Sequence, residues 1–382
     1  MSLKTLAFSL IAIFIPIYLY NLNYSLREIL TYFALVYLYC GCGEYVAGHL
    51  VGRFGAKHIM ALSFPLMAIS FMFLFTLDVY HWPLWFLSLI AAIPQPLFWV
   101  AYHDDFSKAK SKSRAGKEIG RLAVFVAIFG ALGPVVGGII AEEFGVQATI
   151  VIATIILVAA MPQLFRSKEI VKKRPLDMRK FSVTRNWRDM VAYSGYGLEA
   201  SASMVLWPFF IFLLVGTYKE VGFIATVALL ITIAVMLFVG KMTDKYEKRK
   251  VLKAGGFLNL LTGFSRVIVS SVGGAYLVGI ISTVSQVFMQ IPFVSEYYLR
   301  ADEEPRNEYI VGMEVTVDFA RGFGFLILIL GTFFLETKWV LIAGMSMGAL
   351  GALLSTMIAG NSQKEVKEIK VHKEIVKARG AA

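Results

Sequence analysis

At 382 residues the chain is long enough for two or three soluble domains, but its composition excludes them. Hydrophobic residues make up 58% and charged residues only 16%, too apolar for ordinary globular domains. The formal charge of +11 gathers between apolar runs of about 20 residues, the length that crosses a bilayer core as helix, and shows no aromatic–basic alternation for base stacking. The expected partners are a lipid bilayer and a small solute, with no nucleic acid.

The pattern predicts an all-α integral membrane protein of twelve spans: about 5–21, 28–51, 58–77, 83–103, 118–140, 147–165, 189–216, 221–241, 251–271, 275–298, 309–335 and 339–360. The first could pass for a signal peptide, with Lys4 leading an apolar run. No small-x-small cleavage site follows and more spans come after, so it is read as the first helix. The second span holds Glu44 and both cysteines, Cys40 and Cys42. A C-x-C pair on a helix points to different faces and suits neither a disulfide nor a shared metal.

The hinge after this span, Gly48–His58, reads GHLVGRFGAKH. It returns half a chain later as Gly240–Lys250, GKMTDKYEKRK, which suggests two related halves. Pro96, Tyr102, Gly116 and Glu118 also have counterparts at one common spacing, Pro292, Tyr298, Gly312 and Glu314. The expected organisation is a bundle over 1–165, a basic cytoplasmic linker over 166–188, a second bundle over 189–361 and a cytoplasmic tail over 362–382.

Loop charge orients the chain. With the N-terminus inside, only Arg27, Lys219 and Lys338 fall in outer loops, while Arg266 and Arg321 lie within spans. All other Lys and Arg are on the inner side, and an even span number puts both termini in the cytoplasm. The tail, Lys364–Arg379, reads as either a surface helix or a disordered segment.

The hinge residues resemble the signature of the major facilitator superfamily, which is Gly, three residues, Asp, Arg or Lys, one residue, Gly, then basic residues. The first copy has Gly48, Gly52 in the place of the Asp, then Arg53, Gly55 and Lys57; the second has Gly240, Asp244, Lys245 and Arg249. The resemblance implies two six-helix bundles that rock about a central cavity, with this loop as an inner gate held shut by its Asp. Gly52 cannot supply that contact, so another acid would have to, and Glu44 is a candidate for that or for carrying a proton. In the fifth span Gly133, Pro134, Gly137 and Gly138 look like the core of a motif typical of the family's exporters; physically they read as a kinked, closely packed helix. The Arg that proton-coupled exporters carry in the fourth span is missing.

An ionisable group near the bilayer centre costs at least about 2.5–3.5 kcal/mol, so each needs a partner or a function. Asp318 and Arg321, three apart on the eleventh span, share a helical face. The resemblance places the seventh and eleventh spans on the cavity, which suggests Glu199, Asp318 and Arg321 as a charged cluster there, Glu199 being the favoured coupling group. Gln95, Trp99, Trp207, Gln286 and Gln290 are candidates for lining a substrate site. Arg266 is expected to snorkel at an outer end, Glu296 to pair locally with Arg300, and His103, Asp104 and Asp105 to pair with the basic loop that follows rather than hold a metal.

The function expected is secondary active transport of a small organic solute across the cytoplasmic membrane, with protons as coupling ion, export favoured over uptake of a sugar or organic acid, and a monomer as the working unit. The rival class is a receptor or scaffold that keeps the fold without carrying anything. No phosphate-cradling loop, nucleophile–base pair or H-E-x-x-H motif occurs, so neither ATP drive, a cofactor nor an enzyme is expected.

Overall fold

The computed structural model describes residues 2–109, 115–164, 174–245 and 248–358. Side chains at 2, 107–125, 163–164, 237 and 240–245 are outside that description. The tail and much of the basic linker, 165–173, lie outside the described residues, as does the basic loop expected to pair with Asp104 and Asp105.

The described chain is helical at every place where a span is expected. In order these helices are α1 (Leu3–Asn21), α2 (Leu26–Phe54), α3 (Ala56–Phe75), α4 (Leu84–Phe106), α5 (Ala115–Phe144) and α6 (Val146–Leu164). The second set is α7 (Val183–Val215), α8 (Tyr218–Lys245), α9 (Lys248–Ser265), α10 (Val272–Glu303), α11 (Arg306–Gly331) and α12 (Thr337–Leu354). Among the described residues, nine helices are long and apolar enough to cross a membrane. Helix α6 is apolar but short, and α9 and α11 are excluded from the nine. Helix α11 carries three ionisable residues along its length, Glu314, Asp318 and Arg321.

Local chemistry sets the helix ends. Ser25 caps α2 by accepting from the Glu28 N–H while Glu28 returns a bond to Ser25 N, a reciprocal capping box. At the turn into α3, Gly55 has φ 97°, which glycine adopts without steric cost. Helix α7 starts at Val183, earlier than the expected 189, because its polar first turns have partners. Fully buried Asp189 accepts from Arg300 Nε and from Tyr309 Oη, both at 3.0 Å. Arg300 also pairs with Glu303 and Glu304.

Packing repeats between the two sets of six. In the first, α1 packs on α5 and α6, α2 on α4, and α3 on α4 and α6. The second repeats this with α7 on α11 and α12, α8 on α10, and α9 on α10 and α12. The two sets meet where α2 runs along α11 and α5 along α8, again equivalent pairs. Lipid-facing positions such as Ile155, Leu277, Ile327 and Leu330 are exposed and apolar, as expected of helices solvated by acyl chains.

Candidate functional site

Glu44 on α2 and Asp318 on α11 bring their carboxyl groups together across the contact between the two sets of helices. Both are buried, at 1% and 6% exposure. One turn on, Arg321 donates from Nη1 to Asp318 Oδ1 at 3.1 Å, the pairing that the three-residue spacing predicts. The Arg321 guanidinium also lies 5.2 Å from the centroid of the Tyr37 ring on α2. One turn before Asp318, buried Glu314 places Oε1 3.6 Å from His103 Nε2 on α4. The other ring nitrogen of His103 is 2.7 Å from Tyr298 Oη on α10. Four helices from both sets therefore supply one polar cluster. Within it, Glu44 Oε2 and Arg321 Nε are buried without a hydrogen-bond partner.

Glu199 belongs to a second cluster, inside the last six helices. Its Oε1 accepts from Gln286 Nε2 at 2.6 Å and from Ser203 Oγ at 2.8 Å. Ser203 in turn accepts from Arg266 Nη2 at 2.9 Å. Arg266 does not snorkel: it is 4% exposed and lies over Trp207, with 5.2 Å from guanidinium carbon to ring centroid. A cation near a helix end can turn outward to headgroups or inward to a polar group. Here Ser203, Glu199 and the Trp207 face draw it inward. A π-helical turn, Ala202–Leu206, sits in α7 between Glu199 and Trp207 and re-aims the helix faces on either side of it.

Tyr196 stands between the clusters. It accepts from Gln290 Nε2 at 3.1 Å, and its neighbour Gly197 leaves room for the Arg321 stem. Tyr196 lies within electrostatic reach of both Glu199 and Arg321, while the polar contacts of Glu199 itself are with Gln286 and Ser203. Trp99 stacks on His103 and is partly exposed. Lys4 puts its ammonium over Trp99, Phe98 and Phe8 at 3.7–4.7 Å from the ring centroids. Gln95 is half-buried on α4.

At the linker end of the bundle, Gly48 packs against Val311 of α11, and its carbonyl is 3.5 Å from Asn307 Nδ2. The space beside Gly52 is filled by the backbone of Arg174. Arg53 is exposed, and Lys57 opens α3. In the second hinge α8 continues through Gly240, Asp244 and Lys245, whose side chains lie outside the described set, and Arg249 lies in the first turn of α9.

The glycines of α5 mark close approaches. Gly133 and Gly137 admit Ser9 and the Leu10 carbonyl of α1, and Gly138 admits the Tyr218 carbonyl. Pro134 removes a backbone donor from α5. The Thr226 hydroxyl of α8 enters the opened ladder there, donating to Ala131 O at 2.8 Å and accepting from Val135 N at 3.0 Å.

Glu314, His103, Tyr298, Tyr196 and Arg266 complete these clusters, and none of them is expected in the charged cluster or the substrate lining from the sequence. Glu314 and Tyr298 had a signal there, as members of the half-length repeat.

Solved structures that share the fold include three transporters. The nucleoside transporter NupG aligns with TM-score 0.64 at 10% identity, over 93% of this chain and 95% of that one. A D-xylose–proton symporter gives 0.64 at 12% identity, over 93% and 95%. The E. coli fucose:proton symporter FucP gives 0.65 at 13% identity, over 93% and 94%. No curated protein sequence matches the chain. The family model described as Major Facilitator Superfamily matches residues 2–310. With most of its length under that model and its paired six-helix packing, this multi-pass membrane protein belongs to the major facilitator superfamily and has the fold of a secondary transporter.

Proposed function

We propose that the chain is a proton-coupled carrier that moves a small organic solute across the cytoplasmic membrane by alternating access, working as a monomer with twelve crossings and both termini inside. The observation that carries this reading is the Glu44–Asp318 carboxyl pair, which bridges the two sets of helices. Glu44, Asp318 and Glu314 outnumber the one guanidinium beside them, Arg321. Two carboxylates cannot both stay charged in contact at low dielectric, so the closed arrangement needs a proton between Glu44 and Asp318. Parting α2 from α11 separates the two groups and gives each access to water, where the proton leaves or returns. Proton occupancy and helix separation then become one equilibrium. Glu199 makes its hydrogen bonds to Gln286 and Ser203 within the last six helices and does not bridge the α2–α11 contact that parts.

Export is retained as the direction on the exporter-like Gly133–Gly138 seam. Uptake by symport is the second reading, favoured by the names of two structural relatives, the D-xylose and fucose symporters. The test uses inside-out vesicles energised with a proton gradient, to which sugars, acids, amino acids and amphipathic cations are added one at a time. Partial collapse of the gradient names the substrate class and the direction. Glu44→Gln should abolish the collapse while preserving exchange of labelled for unlabelled solute. Unchanged gradient-driven transport in Glu44→Gln would end the proposal, and no flux of any kind would favour the silent scaffold.

A further inference from the structure

The segment between the two sets of helices does more than connect them. Residues 174–177 run without regular secondary structure into a short 3-10 turn, Met178–Lys180, before α7 begins. In this strongly basic stretch Leu176 is nonetheless buried at 7% exposure. It lies over α2 where there is no side chain: a Cβ on Gly48 would come within 3.0 Å of Leu176 Cδ2. One turn on, a Cβ on Gly52 would overlap the Arg174 carbonyl. The same segment also grips α11. The Asp177 N–H donates to Glu308 Oε1 at 3.2 Å. Phe181 lies over Gly312, where a Cβ would sit 2.7 Å from the ring. The Asp177 side chain holds the turn in shape by accepting from Arg179 N.

The glycines at 48, 52 and 312 thus form a notch across α2 and α11 that the linker fills. The two helices touch beneath it through Gly48 and Val311. An Asp at position 52, as in the family signature, would have no room while the linker is seated. We propose that residues 174–181 are the inner gate's bolt: they clamp α2 to α11 when the inner side is closed, and must leave the notch before it opens. This goes beyond the transport reading and holds for any solute or coupling ion. Its energy is mainly apolar burial of Leu176 and Phe181, together with one hydrogen bond to Glu308.

The test reads opening without a substrate. Full-length protein carrying Cys40→Ala and Cys42→Ala is placed in lipid nanodiscs, and one reporter thiol is introduced at a time. Val311→Cys reports α2–α11 separation beneath the bolt. His103→Cys reports the contact with Tyr298, which lies between α4 and α10 rather than between α2 and α11. Maleimide labelling rates are compared with and without Leu176→Ala, with Phe181→Ala as a second variant and Lys180→Ala as a control on the exposed side. Leu176→Ala and Phe181→Ala should each speed labelling at both reporters by roughly tenfold, the factor expected for losing most of one buried side chain. Lys180→Ala should change neither. Acceleration at Val311→Cys alone would mean that the linker frays without opening the gate, and unchanged rates at both would mean that it holds nothing. Either result overturns the proposal.

Discussion

Arg266 is the residue whose environment departs most from the pattern around it. A guanidinium on an apolar helix near an interface ordinarily reaches for headgroups, yet this one is buried against Trp207 and bonded through Ser203 to Glu199. Its worth lies in keeping Glu199 compensated. Removing one member of a buried charge pair leaves the other stranded, a cost of about 3–5 kcal/mol, whereas removing both is often nearly neutral. Arg266→Met should therefore lower the thermal unfolding midpoint in detergent by several degrees, and adding Glu199→Gln should restore most of it. If the double variant is less stable than Arg266→Met alone, the two charges are not compensating each other. Glu199→Gln by itself should retain proton coupling in the vesicle assay, the opposite of what Glu44→Gln does.

At the scale of helices, the α5–α8 contact shows how a break in one element is repaired by its neighbour. Pro134 has no N–H to give Gly130 O and disturbs the α5 ladder beside it, where Val135 N and Ala131 O sit in an apolar layer. The Thr226 hydroxyl satisfies both. Gly138 and Gly222 allow the backbones to approach closely enough for it to reach, against Tyr218 O and Pro134 O respectively. Thr226→Val keeps the shape and removes the hydroxyl, so it isolates this repair. It should cost about 1–2 kcal/mol, the range found for interhelical bonds in membrane peptides, with Thr226→Ser losing far less. The readout is the unfolding midpoint of each variant in detergent. Equal stability of the valine and serine variants would show that the hydroxyl is dispensable and that the seam is held by glycine packing alone.

Over the whole molecule, the sequence was informative wherever one segment decided its own fate. Helix positions follow from apolar runs, and the Asp318–Arg321 pair follows from a three-residue spacing. The equivalent packing of the two sets follows a repeat already visible in the hinges. It was uninformative where distant segments meet. Nothing local in α2 says that Glu44 faces Asp318, nothing in the linker says that Leu176 lies over Gly48, and Arg266 reads the same whether it turns outward or inward. Orientation in the membrane is a property of the whole chain, set by loop charge rather than by any contact. The α3–α4 connection around Asp78–Pro83 carries no Lys or Arg, whereas the segment leading into α7 holds Arg174, Arg179 and Lys180 within a few residues. Cationic segments stay on the cytoplasmic side, so these two stretches should lie on opposite faces. Tyr80 is 65% exposed and Arg179 is likewise exposed, so a thiol at either site is reachable. In intact cells producing the protein with Cys40→Ala and Cys42→Ala, an impermeant maleimide should label Tyr80→Cys at once. Arg179→Cys should react only after the membrane is permeabilised. The reverse pattern would invert the topology and put the linker bolt on the outer gate. Labelling of both sites in sealed cells would place the segment before α7 outside, which the distribution of charge does not permit.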